Sequence, residues 1–243
     1  MLLVALALLS SAAIVVVTQP LAAFHVLAWI FPRILWRVET NAPLVALTFD
    51  DGPAPDHTPQ VLDILARRQA HATFFLIGER AAAHPDLVSR IRGAGHEVGN
   101  HSLTVRSILR ASETEFASNL ERTEQILDLR GPVKLYRPPG GRMRPSQLTH
   151  ALRRGYTCVL GSAYPYDPAH PPSSYIRWLV TKNLAPGVIV ILHDGIADPS
   201  RTFAALEGIL EAGQAKGLRF VTVSGLLAAR DPSGRCATRR PSG

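Results

Sequence analysis

Two periodicities run through this chain of 243 residues. From Leu44 onward, short apolar runs alternate with stretches in which apolar positions recur every three to four residues. The runs at residues 45–49, 73–77, 97–99, 134–137, 157–160, 188–193 and 220–223 have the length of strands. Helix signals stand between them. Thr58 before Pro59 predicts an N-cap with proline at the first helical position, ahead of Val61, Leu62, Ile64 and Leu65. Ser112-Glu113-Thr114-Glu115 reads as a capping box before Phe116, Leu120 and Ile126. Gly95, Gly131, Gly155 and Gly217 fall where helices should close. Strand–helix units in this order predict a parallel sheet with right-handed crossovers. An open doubly wound sheet and a (β/α) barrel both satisfy the pattern.

The pattern before Arg33 is of another kind, since residues 1–32 contain no Asp, Glu, Lys or Arg. Residues 1–19 would form an apolar helix of roughly 28 Å, close to a bilayer core of about 30 Å. Pro20 interrupts the run, which resumes through Phe31. No basic residue precedes it, which favours an uncleaved membrane anchor over a cleaved signal peptide or an apolar arm packed on the domain. The expected division is a membrane anchor or signal segment at residues 1–36, a main domain at 40–230 and a flexible basic tail at 231–243. Every strand–helix unit begins after the leader with its own start and stop signals. Removal of residues 1–36 is therefore expected to leave the domain intact. Arg33 and Arg37 after the span would hold the domain in the cytoplasm by the positive-inside rule. An extracytoplasmic domain is nevertheless the expectation, with secretion as the alternative.

Composition narrows the classes. Apolar residues at 47% supply a core, and charged residues at 19% exclude a disordered solvating chain. The net charge of +7 is carried mostly by arginine and suits anionic lipid or an acidic wall polymer. Basic residues do not cluster with interleaved aromatics, so nucleic acid is not expected as a partner. Cys158 and Cys236 have neither CxxC nor CxxH spacing, which excludes a zinc knuckle and a disulfide framework.

The chemistry-bearing residues stand at the C-terminal ends of the expected strands. Asp50-Asp51-Gly52-Pro53 ends the first, Asn100-His101-Ser102 the third, and Arg137-Pro138-Pro139-Gly140-Gly141 the fourth. Tyr166-Asp167-Pro168 follows the fifth, and His193-Asp194-Gly195 ends the sixth. In either α/β architecture, those ends share one rim. Adjacent carboxylates there can divide their work, one binding a divalent cation and the other accepting a proton from water. The competing reading is a polar turn whose Asp caps the next helix. Tyr166-Asp167-Pro168 is likewise open to a plain turn.

Thr48-Phe49-Asp50-Asp51-Gly52-Pro53 after an apolar strand resembles the signature of the polysaccharide deacetylases. This is the family of chitin, chitooligosaccharide and peptidoglycan N-deacetylases, and the likeness runs from Leu44 to Leu227 with the motifs in family order. The resemblance implies an irregular (β/α) barrel of about seven strand–helix units and metal-dependent loss of acetate from an N-acetylated glycan. It implies that Asp50 is the general base and that Asp51 and His101 bind the metal. Arg137 would orient Asp50, the Gly140 N–H would face the oxyanion, His193 would protonate the leaving amine, and Ile191 would wall the acetyl methyl. Asp167 is the carboxylate expected to keep His193 charged. Zinc is the expected metal, with cobalt, nickel and manganese as alternatives.

Two departures from the family pattern change the picture. The second motif, His-(Ser/Thr)-x-x-His in the family, reads His101-Ser102-Leu103-Thr104-Val105 here. A spacing of four would put both side chains on one helical face, and Val105 cannot coordinate. Asp167 or another residue is the expected substitute ligand, Asp167 first, with a weakly held metal or a non-catalytic, membrane-tethered glycan-binding domain as the alternatives. A deacylase of another amide, such as a lipid-linked amino sugar, is the third reading. Pro168 stands where the family commonly carries a tryptophan, so Tyr164 or Tyr166 is expected to supply the sugar-facing wall.

Overall fold

Each of the seven apolar runs becomes a strand. The computed structural model describes residues 17–231, with β1 Ile34–Leu35, β2 Leu44–Gly52, β3 Thr73–Leu76, β4 Glu97–Asn100, β5 Lys134–Tyr136, β6 Tyr156–Val159, β7 Ile189–His193 and β8 Arg219–Val221. The order in the sheet is β1-β6-β5-β4-β3-β2-β7, with β8 joined to the start of β2. All these pairings are parallel. Helices cover the outside, so the central strands are buried on both faces and read as continuous apolar runs. Phe49 of β2 stacks on Phe74 of β3 at 5.2 Å between ring centroids, and both are fully buried. They belong to a cluster with Val61, Leu65, Leu206 and Ile209 from the covering helices. Truncating such a phenylalanine to alanine costs about 3–5 kcal/mol.

The sheet curls back on itself. Just past β6, Ala163 forms a parallel bridge with Val190 of β7, and Arg37 forms an antiparallel bridge with Val188. The two-residue β1 lies at this seam, pairing Ile34 with Cys158 and Leu35 with Val159. The curled parallel sheet follows the barrel expectation rather than an open sheet.

The apolar leader is only partly within the described residues, since Met1 to Val16 fall outside them. From Val17 onward the expected transmembrane helix finds no support. Among the described residues no helix is long and apolar enough to cross a membrane. The helix Leu21–Ile30 has 10 residues, about 15 Å at 1.5 Å per residue, half of a bilayer core. Residues 17–19 lie along the domain: the Tyr175 hydroxyl donates to Val17 O at 3.1 Å and Asn183 Nδ2 to Thr18 O at 3.2 Å. Leu35 and Val38 are buried with Leu44, Ala46 and Phe75. The sheet therefore takes in residues that hydropathy alone groups with the leader.

Two local expectations are corrected. The helix Thr58–Arg67 is preceded by His57, which makes no side-chain cap, and the Thr58 hydroxyl donates instead to buried Asp194 Oδ2 at 2.5 Å. The segment after His101 is a series of bends with Ser102 at φ 69°, not a helix. The one-face geometry expected of positions 101 and 105 does not arise. The Ser112 cap is present, its hydroxyl accepting from Glu115 N at 3.1 Å.

Candidate active site

The strand ends bring Asp50, Arg137, Gly140, Ile191 and His193 to one cavity of about 390 Å³, while Asp51, His101 and Asp167 lie outside its lining. Tyr164 and Tyr166 form a further wall, 4.6 Å apart between ring centroids, with Tyr164 5.9 Å from the His193 ring. A larger hollow of about 490 Å³ lies beside Arg80 and His84. It touches neither Asp50 nor His193.

Asp50 is buried at the end of β2 and held from behind. Arg137 Nη1 donates to Asp50 Oδ1 at 2.5 Å and to the Thr48 hydroxyl at 2.7 Å, while Nε donates to Val159 O at 3.2 Å. The Arg137 guanidinium lies 4.1 Å over the Phe75 ring. Burial pulls the arginine's pKa down, against the charge and hydrogen bond of Asp50. A buried pair of this kind is held by mutual dependence, because removing either charge strands the other.

Asp51 points elsewhere. The ladder between β2 and β3 shifts register between Asp50 and Gly52, and Asp51 takes a left-handed φ of 69°. This irregularity turns two consecutive carboxylates to different tasks. Arg80, which no sequence motif marks, holds the turn: its Nη1 donates to Asp51 O at 2.6 Å and Gly195 O at 2.5 Å. A Cβ on Gly195 would fall 2.0 Å from Asp51 O, so only glycine permits that approach. Burial alone would raise the Asp51 pKa. The His101 hydrogen bond and the charges of His101, His193 and Arg80 outweigh it and hold the group below its ordinary value.

His101 faces both carboxylates, with Nε2 3.4 Å from Asp51 Oδ1 and 3.9 Å from Asp50 Oδ2. Its Nδ1 lies 2.8 Å from Arg137 O, and a carbonyl only accepts, so Nδ1 carries the proton. Nε2 is then the ring atom turned to the two carboxylates, where it can share a cation with Asp51. A ligating histidine normally donates its other N–H to a carbonyl or carboxylate in this way. The donor set of Asp51 and His101 thus fits a divalent cation. Among the described residues no group of three or more His, Cys, Asp or Glu side chains is placed to hold a metal. Val105 is half exposed on the bend segment.

Asp167 does not fill the gap. It is almost fully buried, its Oδ1 accepts from His193 Nδ1 at 2.9 Å, and its Oδ2 accepts from His193 N at 2.8 Å and the Thr202 hydroxyl at 3.0 Å. Both oxygens are spent on fixing His193, which corrects the expectation of Asp167 as a substitute metal ligand. For His193, burial alone would lower the pKa. The charge and hydrogen bond of Asp167, with Asp50 and Asp51 farther off, outweigh it and hold the ring at about 9. With Nδ1 on Asp167, Nε2 is the ring atom left for the cavity. Its neighbour Asp194 points away from the cavity onto Thr58, and burial pushes it up to about 7 against that hydrogen bond.

The profile of the polysaccharide deacetylase family matches residues 37–159. The chain is 41% identical over 198 residues to a peptidoglycan-N-acetylglucosamine deacetylase of Bacillus cereus, covering 80% of this chain and 92% of the relative. Among solved structures, a peptidoglycan N-acetylglucosamine deacetylase bound to an N-hydroxybenzamide superposes with a TM-score of 0.77 at 32% identity, covering 82% of this chain and 95% of that one. A CE4 family pseudoenzyme from Bacillus anthracis superposes with a TM-score of 0.73 at 25% identity, covering 81% and 69% respectively.

Proposed function

The chain belongs to the polysaccharide deacetylase family, and on that premise we propose that it hydrolyses N-acetyl groups on an amino-sugar glycan of the peptidoglycan or chitooligosaccharide kind. One observation carries the reading: Asp50 and His193, each backed by a buried partner of opposite charge, line the same cavity. A base and an acid facing one space are what cleavage of an amide with a poor leaving group requires.

Asp50, aimed by Arg137, takes a proton from water as its oxygen bonds to the acetyl carbon. The Gly140 N–H, on the cavity wall, faces the oxygen that gains charge. His193, protonated at neutral pH, gives its Nε2 proton to the amide nitrogen as the C–N bond breaks. Acetate and a free amine leave, and Asp50 and His193 return to their starting states by exchange with solvent. Ile191, on the cavity wall, closes the methyl side. A divalent cation held by Asp51 and His101 would supply Lewis-acid polarisation of the carbonyl and lower the pKa of water from 15.7 toward about 7. Zinc is the metal proposed.

The membrane is proposed as a second partner, with the domain on its extracytoplasmic side, where a wall glycan lies. The uncharged residues 1–32 support this, as do Trp29 and Ile30, which the helix Leu21–Ile30 exposes to solvent. The decisive experiment measures acetate released from N-acetylglucosamine oligomers together with the metal content of the same sample. Glycan binding without acetate release by the metal-loaded protein would instead identify a non-catalytic binder, as the pseudoenzyme relative and Val105 make worth testing.

A further inference from the structure

Resting on the deacetylase reading, we propose that residues 19–27 are a built-in wall of the substrate cleft. They fix its tyrosine loop and confine it to a terminal amino-sugar unit or short oligomer rather than the interior of a long chain. The key residue is Gln19, the one carboxamide in the uncharged leader and nearly buried. Its Nε2 donates to Tyr164 O, and Tyr164 N donates to its Oε1 at 2.8 Å. One side chain thus satisfies both main-chain groups of a residue in the cavity wall, which needs a donor and an acceptor together. Glutamate could accept but not donate, and alanine could do neither.

The helix that follows continues the wall. Ala23, Phe24 and Leu27 line the same cavity as Asp50, Arg137 and His193. Phe24 packs beside Trp36, with ring centroids 6.3 Å apart. The segment is tied down at both ends, by the bonds to Val17 and Thr18 and by Arg37, whose Nη2 donates to Pro186 O at 3.3 Å. The space of about 390 Å³ lies at the small end of the roughly 300–1,000 Å³ of small-molecule sites. A groove for a running polymer would have to stay open on this side. Phenyl, indole and leucine surfaces suit the apolar C–H face of a sugar ring.

The test compares the full-length protein with Gln19→Ala, Gln19→Glu and Phe24→Ala on di- to hexameric N-acetylglucosamine and on polymeric substrate, with melting curves for each. Wild type should favour the short oligomers. Both Gln19 variants should raise KM for them about tenfold, the effect of losing one or two net hydrogen bonds, with kcat changed less. Phe24→Ala should shift the preference toward polymer. Wild-type KM in the Gln19 variants, or an unchanged length preference in Phe24→Ala, overturns the wall. A wild type that releases no acetate sinks the deacetylase reading, and the wall is then judged by calorimetric binding of N-acetylglucosamine trimer. Weaker binding by folded Gln19→Ala supports it, and equal or absent binding overturns it.

Discussion

Asp50 and His193 occupy the same rung of the sheet, as register partners on the adjacent parallel strands β2 and β7. Neighbouring strands lie about 4.8 Å apart, so main-chain hydrogen bonding sets the distance between the proposed base and acid. Neither group depends on a mobile loop for its place. The segment after β6 supplies much of what surrounds them, with Tyr164 and Tyr166 to the side and Asp167 behind.

The pH profile should report the Asp167–His193 pair. Activity should fall as pH rises through about 9, where His193 loses the proton it must donate. Asp167→Asn removes the charge that raises this pKa, so the alkaline limb should move toward lower pH and turnover should fall by about 10²–10⁴. Stability follows the same sign. A histidine raised in the folded state contributes fully below its ordinary value near 6.5, and the contribution is lost as pH rises through the folded value. Rate and melting profiles of both proteins from pH 6 to 10 check this; coincident alkaline limbs would count against the acid role.

Asp50→Asn should cost fold as well as function. The shape is kept, but buried Arg137 loses the charge it faces at 2.5 Å. Breaking a buried pair from one side costs on the order of 3–5 kcal/mol, and loss of the base about 10²–10⁴ in rate. Urea titration beside acetate release measures both. An inactive variant of unchanged stability would mean that Arg137 is compensated by something other than Asp50.

Val105→His should strengthen metal binding. Both Asp167 oxygens are engaged by His193 and Thr202, so Asp167 does not compete for the third position. The half-exposed Val105 side chain has little packing to lose. Affinity should rise by more than tenfold, beyond the lower end of the 10–100-fold typical of outer-shell changes, with acetate release at low metal rising in step. Calorimetric zinc titration of both proteins decides it; equal affinities would show that the bend segment keeps position 105 out of reach.

Truncation of residues 1–36 should destabilise the domain. The cut removes Ile34 and Leu35 from the sheet and Gln19 from Tyr164. Burial of one leucine alone is worth about 1.5–3 kcal/mol. A lower melting temperature and a higher KM for oligomers are expected. A truncated domain with full-length values for both would show that the leader contributes nothing to the site.

Much of the fold and site is legible in the sequence, for identifiable reasons. Strands β2, β3 and β7 are buried almost throughout, so burial writes itself as apolar runs. Asp50, His101, Arg137 and His193 stand out because strand ends in an α/β fold share a rim. β1 escapes notice because two residues, Ile34 and Leu35, carry no period and sit in an apolar leader. Thr58 misleads because a hydroxyl before Pro59 looks like a cap, while its partner Asp194 lies 136 positions away. Arg80 gives no signal, since its work is done through two main-chain oxygens. Gln19 gives one that hydropathy averaging hides: an amide in an otherwise apolar segment needs a partner.

The Gln19–Tyr164 clasp spans 145 positions of the chain, and this has a consequence for biosynthesis. At about 5–20 residues per second, Tyr164 leaves the ribosome on the order of ten seconds after Gln19. Throughout that interval the amide of Gln19 has no native partner, and β1 waits nearly as long for β6. Contacts so distant in sequence also close slowly once both ends exist. The catalytic rung needs β2 and β7 alone, whereas the wall needs the leader to be waiting nearby. A leader held at a membrane during synthesis would stay close to the emerging domain, and the substrate cleft would take its final shape only once β7 has emerged.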